Sequence, residues 1–207
     1  MAANKRMDEW LGIDTSHVLE SHLKQGKWYY NRTESSDYKV LDCLFDRLKW
    51  TKDDVLVDVG AGTGRVLCYS ALRLGIAVKG IEYAEEVVRI ARDNFDSFMK
   101  KHKVPTPICI IQKKIEQYAI LPEDTIFYFF NPFTVILVRP FIFNVMESFE
   151  KYPRRIQCIY YYPDTEVLSF MQYHTHFELT QEILMDEYCQ DTREKIVIFE
   201  LKTSGNH

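Results

Sequence analysis

Val55-Leu56-Val57-Asp58-Val59-Gly60-Ala61-Gly62-Thr63-Gly64-Arg65 is the stretch on which the fold turns. An apolar run of strand length is interrupted by one aspartate, and three glycines follow on alternate positions. Such an aliphatic run reads as a strand buried on both faces. Glycines after it let the backbone turn tightly and come close to a ligand or to a neighbouring element. Residues 65–74 then carry helical periodicity, and Gly75 stands where a left-handed C-terminal cap belongs. Strand, glycine turn and helix make the first part of a βαβ unit.

Outward from this unit, Val40, Leu41, Leu44, Phe45 and Leu48 recur at helical spacing within 37–48. Ahead of them, 1–28 is polar and weakly amphipathic, fit for one or two short helices, and 29–36 is a polar loop with an aromatic lead. On the C-terminal side, strands are expected over 76–83, 107–112, 125–130 and 156–162. Helices are expected over 85–103, 139–151 and 164–173. Val87, Val88, Ile90, Ala91, Phe95 and Phe98 form the inner stripe of the first, and Pro140 stands in the first turn of the second, where proline is tolerated. His174 and His176 read as loop residues, with no nearby ligands that would make them a metal site. Residues 177–185 and 195–202 alternate, and the polar connection between them is too short for a crossover helix, so they pair antiparallel. The expected fold is α/β: a doubly wound, mostly parallel seven-stranded sheet with a terminal antiparallel pair and helices on both faces.

Composition narrows the function classes. The chain has 207 residues with 26 basic and 30 acidic side chains, a net charge of −4, which disfavours a strong nucleic-acid binder. Basic clusters at Lys100-Lys101-His102-Lys103, Lys113-Lys114 and Arg154-Arg155 read as solvated surface. Cys43, Cys68, Cys109, Cys158 and Cys189 are widely spaced without a C-x-x-C, so reduced, mostly buried thiols in a cytoplasmic protein are expected. No apolar leader or 18-residue apolar run is found in the sequence, so a secreted or membrane-spanning protein is not expected.

The glycine loop fails two common templates. A nicotinamide fingerprint starting at Gly60 needs glycine or alanine where Arg65 stands, and a phosphate-cradling loop needs a lysine after Gly64. The Asp58-x-Gly60-x-Gly62-x-Gly64 form resembles motif I of the class I, Rossmann-like S-adenosylmethionine-dependent methyltransferases. Glu82 agrees with this, since it ends the next strand 22 residues after Gly60, where an acidic residue accepts hydrogen bonds from ribose hydroxyls. The resemblance implies that Asp58, Gly60, Ala61, Gly62, Thr63 and Gly64 hold the cofactor, that Glu82 grips its ribose, and that Tyr83 lies beside the adenine. Lys114 occupies the slot where many relatives carry an adenine-reading aspartate, and lysine cannot accept that bond. Adenine recognition is then left to backbone groups and packing, through Ile115.

Phe129-Phe130-Asn131-Pro132-Phe133 ends the fourth strand, where this class places motif IV. Asn131-Pro132-Phe133 resembles a shortened form of the motif of amino-methylating enzymes. The resemblance implies that Asn131 and Pro132 accept hydrogen bonds from the target nitrogen and that Phe133 flanks the methyl group, making Asn131 and Phe133 the catalytic candidates and Asn131 also a cofactor neighbour. The stretch from Tyr30 to Tyr162, with its Phe-Asn-Pro-Phe turn and Pro153-Arg154, resembles a group of small, mostly bacterial methyltransferase-like proteins. It is also distantly similar to the histone-lysine methyltransferases that lack a SET domain. The resemblance to the small bacterial group implies that Tyr30 and Thr33 lie near the methionine end of the cofactor, and alternation along the fifth strand puts Tyr161 with Asn131, Pro132 and Phe133 on the substrate side.

The expected organisation is an N-terminal extension over 1–40 capping the site, and a methyltransferase domain over 41–207. The expected activity is methyl transfer from S-adenosylmethionine, leaving S-adenosylhomocysteine, to a small-molecule acceptor, with nitrogen favoured slightly over oxygen. No metal is called for, nucleic acid and membrane partners are not expected, and the chain is read as a monomer or homodimer. The competing readings are a macromolecular methyltransferase for protein or RNA, and a non-catalytic cofactor-binding partner subunit.

Overall fold

A computed structural model describes residues 2–16, 35–130 and 133–202. Strand β1 (Val55–Val59) is buried along its whole length, as its unbroken aliphatic run requires. It is flanked by β2 (Ala77–Glu82) and β4 (Ile126–Phe130), both parallel to it. Outside these lie β3 (Ile108–Gln112) on one side and β5 (Ile156–Tyr161) on the other. Strands β6 (Glu178–Leu184) and β7 (Lys195–Leu201) complete one seven-stranded sheet in the order β3-β2-β1-β4-β5-β7-β6, with β7 antiparallel to both neighbours. The doubly wound, mostly parallel sheet with a terminal antiparallel pair is therefore the fold.

Among the described residues, six α-helices cover the two faces. Helices α1 (Ala2–Leu11), α2 (Tyr38–Phe45), α3 (Arg65–Leu74) and α4 (Glu85–Lys101) share one core with Leu56, Ile126, Tyr128 and Ile159. Helices α5 (Val135–Lys151) and α6 (Thr165–His174) share the opposite core with Val57, Val59, Phe127 and Phe129. Because strand side chains alternate, Asp58 faces the first core with Leu56. That places it on the side of the N-terminal helices.

Several local expectations are corrected. Helix α5 begins at Val135 rather than at 139, so Pro140 is an interior residue whose missing N–H leaves the Ile136 carbonyl without its helical donor. Pro140 lies on the exposed side, where water can serve that carbonyl. His174 is the last residue of α6 and stacks on Phe170 at 6.4 Å, rather than lying in a loop. Only Cys68 and Cys158 are buried, while Cys109 and Cys189 are exposed, so the thiols are not mostly buried.

Arg154 and Arg155 are not a solvated patch. Arg154 donates to the carbonyls of Leu121, Asp124, Ser148 and Tyr152, stitching the start of β4 to the end of α5. Arg155 pairs with Glu200 at 2.9 Å and donates to the Lys49 carbonyl. Beside Arg154, the fully buried Asp124 accepts from Lys79, the Tyr118 hydroxyl and the Leu121 N–H, each at 2.8 Å. This network closes the end of the sheet where the parallel strands begin, leaving their carboxyl ends for a ligand.

Candidate functional site

Strand β1 delivers the chain to its glycine turn at the carboxyl edge. The Gly60 and Ala61 N–H groups both donate to the Ile81 carbonyl, at 2.9 and 3.0 Å, which binds the turn to β2. Gly60, Gly62 and Gly64 all have positive φ, at 86°, 52° and 90°, so the alternating glycines answer a backbone demand. At Gly64 there is also no room: a Cβ would stand 2.5 Å from the Phe95 ring.

Glu82 reaches the same turn from the end of β2. One carboxylate oxygen accepts from the Gly62 N–H at 3.3 Å, and the other accepts from the Tyr83 and Ala84 N–H groups at 2.8 and 3.0 Å. The acidic side chain is thereby held in one orientation next to the glycines. Asp58 is buried, with 4% of its surface exposed, and no hydrogen bond within the described residues reaches its carboxyl. Burial, with the nearby Glu82 charge, pushes its pKa up to about 8. A buried acid without a donor, beside a turn of positive φ and a fixed second carboxylate, fits a ligand that brings its own hydrogen-bond donors and positive charge. S-adenosylmethionine, with its ammonium, sulfonium and ribose hydroxyls, has that chemistry.

The other expected cofactor residues are unevenly placed. Ala61 and Thr63 are buried within the turn, and the Thr63 carbonyl accepts from the Asn94 amide at 2.9 Å. Tyr83 is half-buried beside Glu82. Ile115 lies in a short 3-10 turn after β3 and is buried in the second core with Val57, Val59 and Ile81. Tyr30, Thr33, Asn131 and Pro132 lie outside the described residues.

On the acceptor side, Phe133 is buried in the second core. Tyr161 is buried against Phe130, stacked at 4.7 Å, and its hydroxyl donates to Glu194 at 3.0 Å. Its pKa is raised by burial, by that bond, and by the charges of Glu194, Asp37 and Glu187. Tyr162 is the single non-glycine residue of positive φ among the described residues, at 52°. It is clamped by a 2.6 Å bond to Asp191 and by the Arg193 guanidinium 4.4 Å above its ring. Strained backbone of this kind is held only where the surroundings over-determine it. Here it sits at the carboxyl end of β5, beside the glycine turn's edge of the sheet. Among the described residues no group of three His, Cys, Asp or Glu could hold a metal ion.

Sequence reasoning missed one constellation. Arg65, read above only for what it excludes, is buried and paired with Asp8 of α1 through two contacts of 2.8 and 3.2 Å. Its remaining N–H groups donate to the Ser36 carbonyl at 3.1 Å and to the Thr15 hydroxyl. The Tyr38 hydroxyl donates to the same Asp8, and the Tyr38 ring lies 5.0 Å from the guanidinium carbon. The signal was available only in part: a polar Asn94 interrupts the apolar stripe of α4, and it proves to bind both Thr63 and Asp14.

Comparisons with known proteins agree with this geometry. The family model described as histone methylation protein DOT1 matches residues 27–151, more than half of the chain. No curated protein matches the sequence at a significant level. Among solved structures, an RNA methyltransferase from Salinibacter ruber in complex with S-adenosyl-L-homocysteine is 16% identical, with a TM-score of 0.61, over 84% of this chain and 97% of that one. A putative RNA methyltransferase from Pyrococcus horikoshii is 21% identical, with a TM-score of 0.60, over 99% of this chain and 100% of that one. A human methyltransferase 10 domain containing protein is 12% identical, with a TM-score of 0.62, over 97% and 93%.

These findings overturn one expectation. A small-molecule acceptor with nucleic acid unlikely does not stand beside structural neighbours that are mainly RNA methyltransferases. Net charge does not decide the acceptor, because a chain can be acidic overall and still present a local surface to RNA. No helix among the described residues is long and apolar enough to cross a membrane. With its glycine turn, its fixed Glu82 and its seven-stranded sheet, the chain belongs to the DOT1 histone methylation family and is an S-adenosylmethionine-dependent methyltransferase.

Proposed function

We propose that the protein methylates a macromolecular acceptor, with RNA as the substrate class and nitrogen as the target atom. One observation carries the reading. The Salinibacter chain, named as an RNA methyltransferase, and the Pyrococcus chain, named as a putative one, are matched over 97% and 100% of their length. The Asn131-Pro132-Phe133 turn supports nitrogen through its resemblance to amino-methylating motifs.

When bound, S-adenosylmethionine supplies an activated methyl group, which leaves alignment and exclusion of water to the protein. Asp58 and the N–H groups of the glycine turn receive the amino-acid end of the cofactor. Glu82 accepts from the ribose hydroxyls, Tyr83 flanks the adenine, and Ile115 supports it from the core. Tyr30 and Thr33 belong to the methionine end. Asn131 and Pro132 orient the acceptor nitrogen, with Phe133 next to them in the second core and Tyr161 in the first core across the sheet. Residues 1–40 cap the site.

A basic protein side chain is the second reading. It is favoured by the family's description and by the acidic surroundings of Tyr161, where Asp37, Glu187 and Glu194 all act on its hydroxyl. Incubation of the purified chain with methyl-labelled cofactor and, separately, total RNA and a mixture of basic proteins tests both. Label in RNA that ribonuclease releases supports the first reading. Label confined to protein replaces it with the second. Label in neither, from a chain that binds S-adenosylhomocysteine, overturns both in favour of a non-catalytic binding subunit.

A further inference from the structure

Arg65 is the residue after the last glycine of the turn and the first of α3. Its guanidinium is saturated inside the protein by Asp8, by Thr15 and by the carbonyls of Ser35 and Ser36. It therefore has no N–H left for a cofactor carboxylate. Asp8 is equally committed, since its two oxygens accept from Arg65, from the Tyr38 hydroxyl and from Thr15. Both side chains are 8% exposed. A second tie runs beside the first: Asn94 bonds the Asp14 N–H and carbonyl while donating to the Thr63 carbonyl. Thr63, Gly64 and Arg65 are thus held in succession by Asn94, by Phe95 and by α1.

Without Asp8, Arg65 would be a buried cation with no counter-charge, a state that proteins avoid by moving the group to water. The start of α3 would move with it, and with it the free N–H groups that a helix offers at its first turn. Helix α1 ends at Leu11, well before residue 27 where the family match begins, so this contact lies outside what the family describes.

We propose that α1 is part of the cofactor-binding machinery, with Asp8 and Arg65 acting as positioning residues that hold the glycine turn in its binding geometry. Affinity for the cofactor and docking of α1 are then linked, and the linkage is reciprocal. The cofactor tightens α1, and loss of the α1 contact weakens the cofactor.

Hydrogen exchange of the full chain with and without S-adenosylhomocysteine, together with calorimetric titration of Asp8→Ala and Arg65→Met, tests this. S-adenosylhomocysteine is expected to slow exchange of the amides at 7–11 at least fivefold in the wild type and to have little effect on them in Arg65→Met. Each variant is expected to bind it at least tenfold more weakly at a temperature where circular dichroism shows it folded. A merely structural ion pair would lower the melting temperature and leave the affinity of the folded variant within twofold of wild type, and that result overturns the proposal. Unchanged exchange at 7–11 in the wild type overturns it as well, and does so even if neither variant folds.

Discussion

At the scale of single residues, Asp58 makes a contribution of its own to the pH behaviour of the cofactor-free chain. Its carboxyl loses a proton near 3.8 in the unfolded chain and near 8 in the folded one. The folded state binds the extra proton between those values, so this group's contribution to stability is fully present below about 4 and is lost as pH rises toward 8, by up to about 1.4 kcal/mol per unit. Asp58→Asn should remove that slope. Thermal melts without cofactor are expected to give similar midpoints below about pH 4 and a midpoint for the variant that rises progressively above that of the wild type toward pH 8. Parallel curves would show that the buried carboxyl is not protonated in the free protein. The same variant is expected to bind S-adenosylmethionine more weakly, because the ligand's positive charge has lost its partner. Motif I exposed Asp58 in the sequence, but its burial beside Glu82 came only from the fold.

At the scale of elements, β1, α3 and β2 form one ligand-facing unit, and Gly80 is its hidden joint. A Cβ there would stand 2.6 Å from a Leu67 methyl and 2.7 Å from the Ala61 Cβ, so α3 and the turn rest directly on β2. Gly80→Ala is expected to cost about 1–3 kcal/mol by overpacking. It should also weaken S-adenosylhomocysteine binding, because Ala61 sits in the turn itself. Titration and a denaturation curve on one sample check the pair of effects, and a stability loss with unaltered affinity would show that the turn tolerates the shift. In the sequence Gly80 looked like an ordinary strand residue, since a strand pattern does not say which neighbour crosses above it. The start of α5 was misread for a related reason. Val135-Ile136-Leu137-Val138 is too short and too uniformly apolar to show a period, and Pro140 read as a start signal although the helix tolerates it on its exposed side.

At the scale of the molecule, the two ends of the sheet have different tasks. Strand starts are tied together by Asp124, Lys79, Tyr118 and Arg154, while strand carboxyl ends carry Asp58, Glu82 and the glycine turn. Asp124→Ala leaves Lys79 with one exposed partner, Glu123, and strands a buried hydroxyl, so a loss of about 3–5 kcal/mol is expected. For a chain of this size that lowers the melting midpoint by about 10 °C. Affinity for S-adenosylhomocysteine should stay within twofold at low temperature, since the change lies at the far end of the sheet. A large fall in affinity would show that the two ends are coupled through β2 and β4. The acceptor also belongs to this scale. Net charge pointed away from nucleic acid, and only the comparison of whole folds turned the reading toward it.

The sequence by itself determined the order of strands and helices, the antiparallel ending and the glycine turn, because each rests on local periodicity and on backbone freedom that particular residues confer. It also singled out Glu82 by its spacing from Gly60, and the tertiary structure then showed how the Gly62, Tyr83 and Ala84 N–H groups orient it. Tertiary structure alone decided the partnership of Arg65 with Asp8, 57 residues apart, and that of Asn94 with Asp14, 80 residues apart. Charged and polar residues carry no periodic signature of their burial, and their partners are chosen only when distant elements pack. What the first residues of this chain do for its cofactor loop is therefore a property of the fold and not of any one stretch.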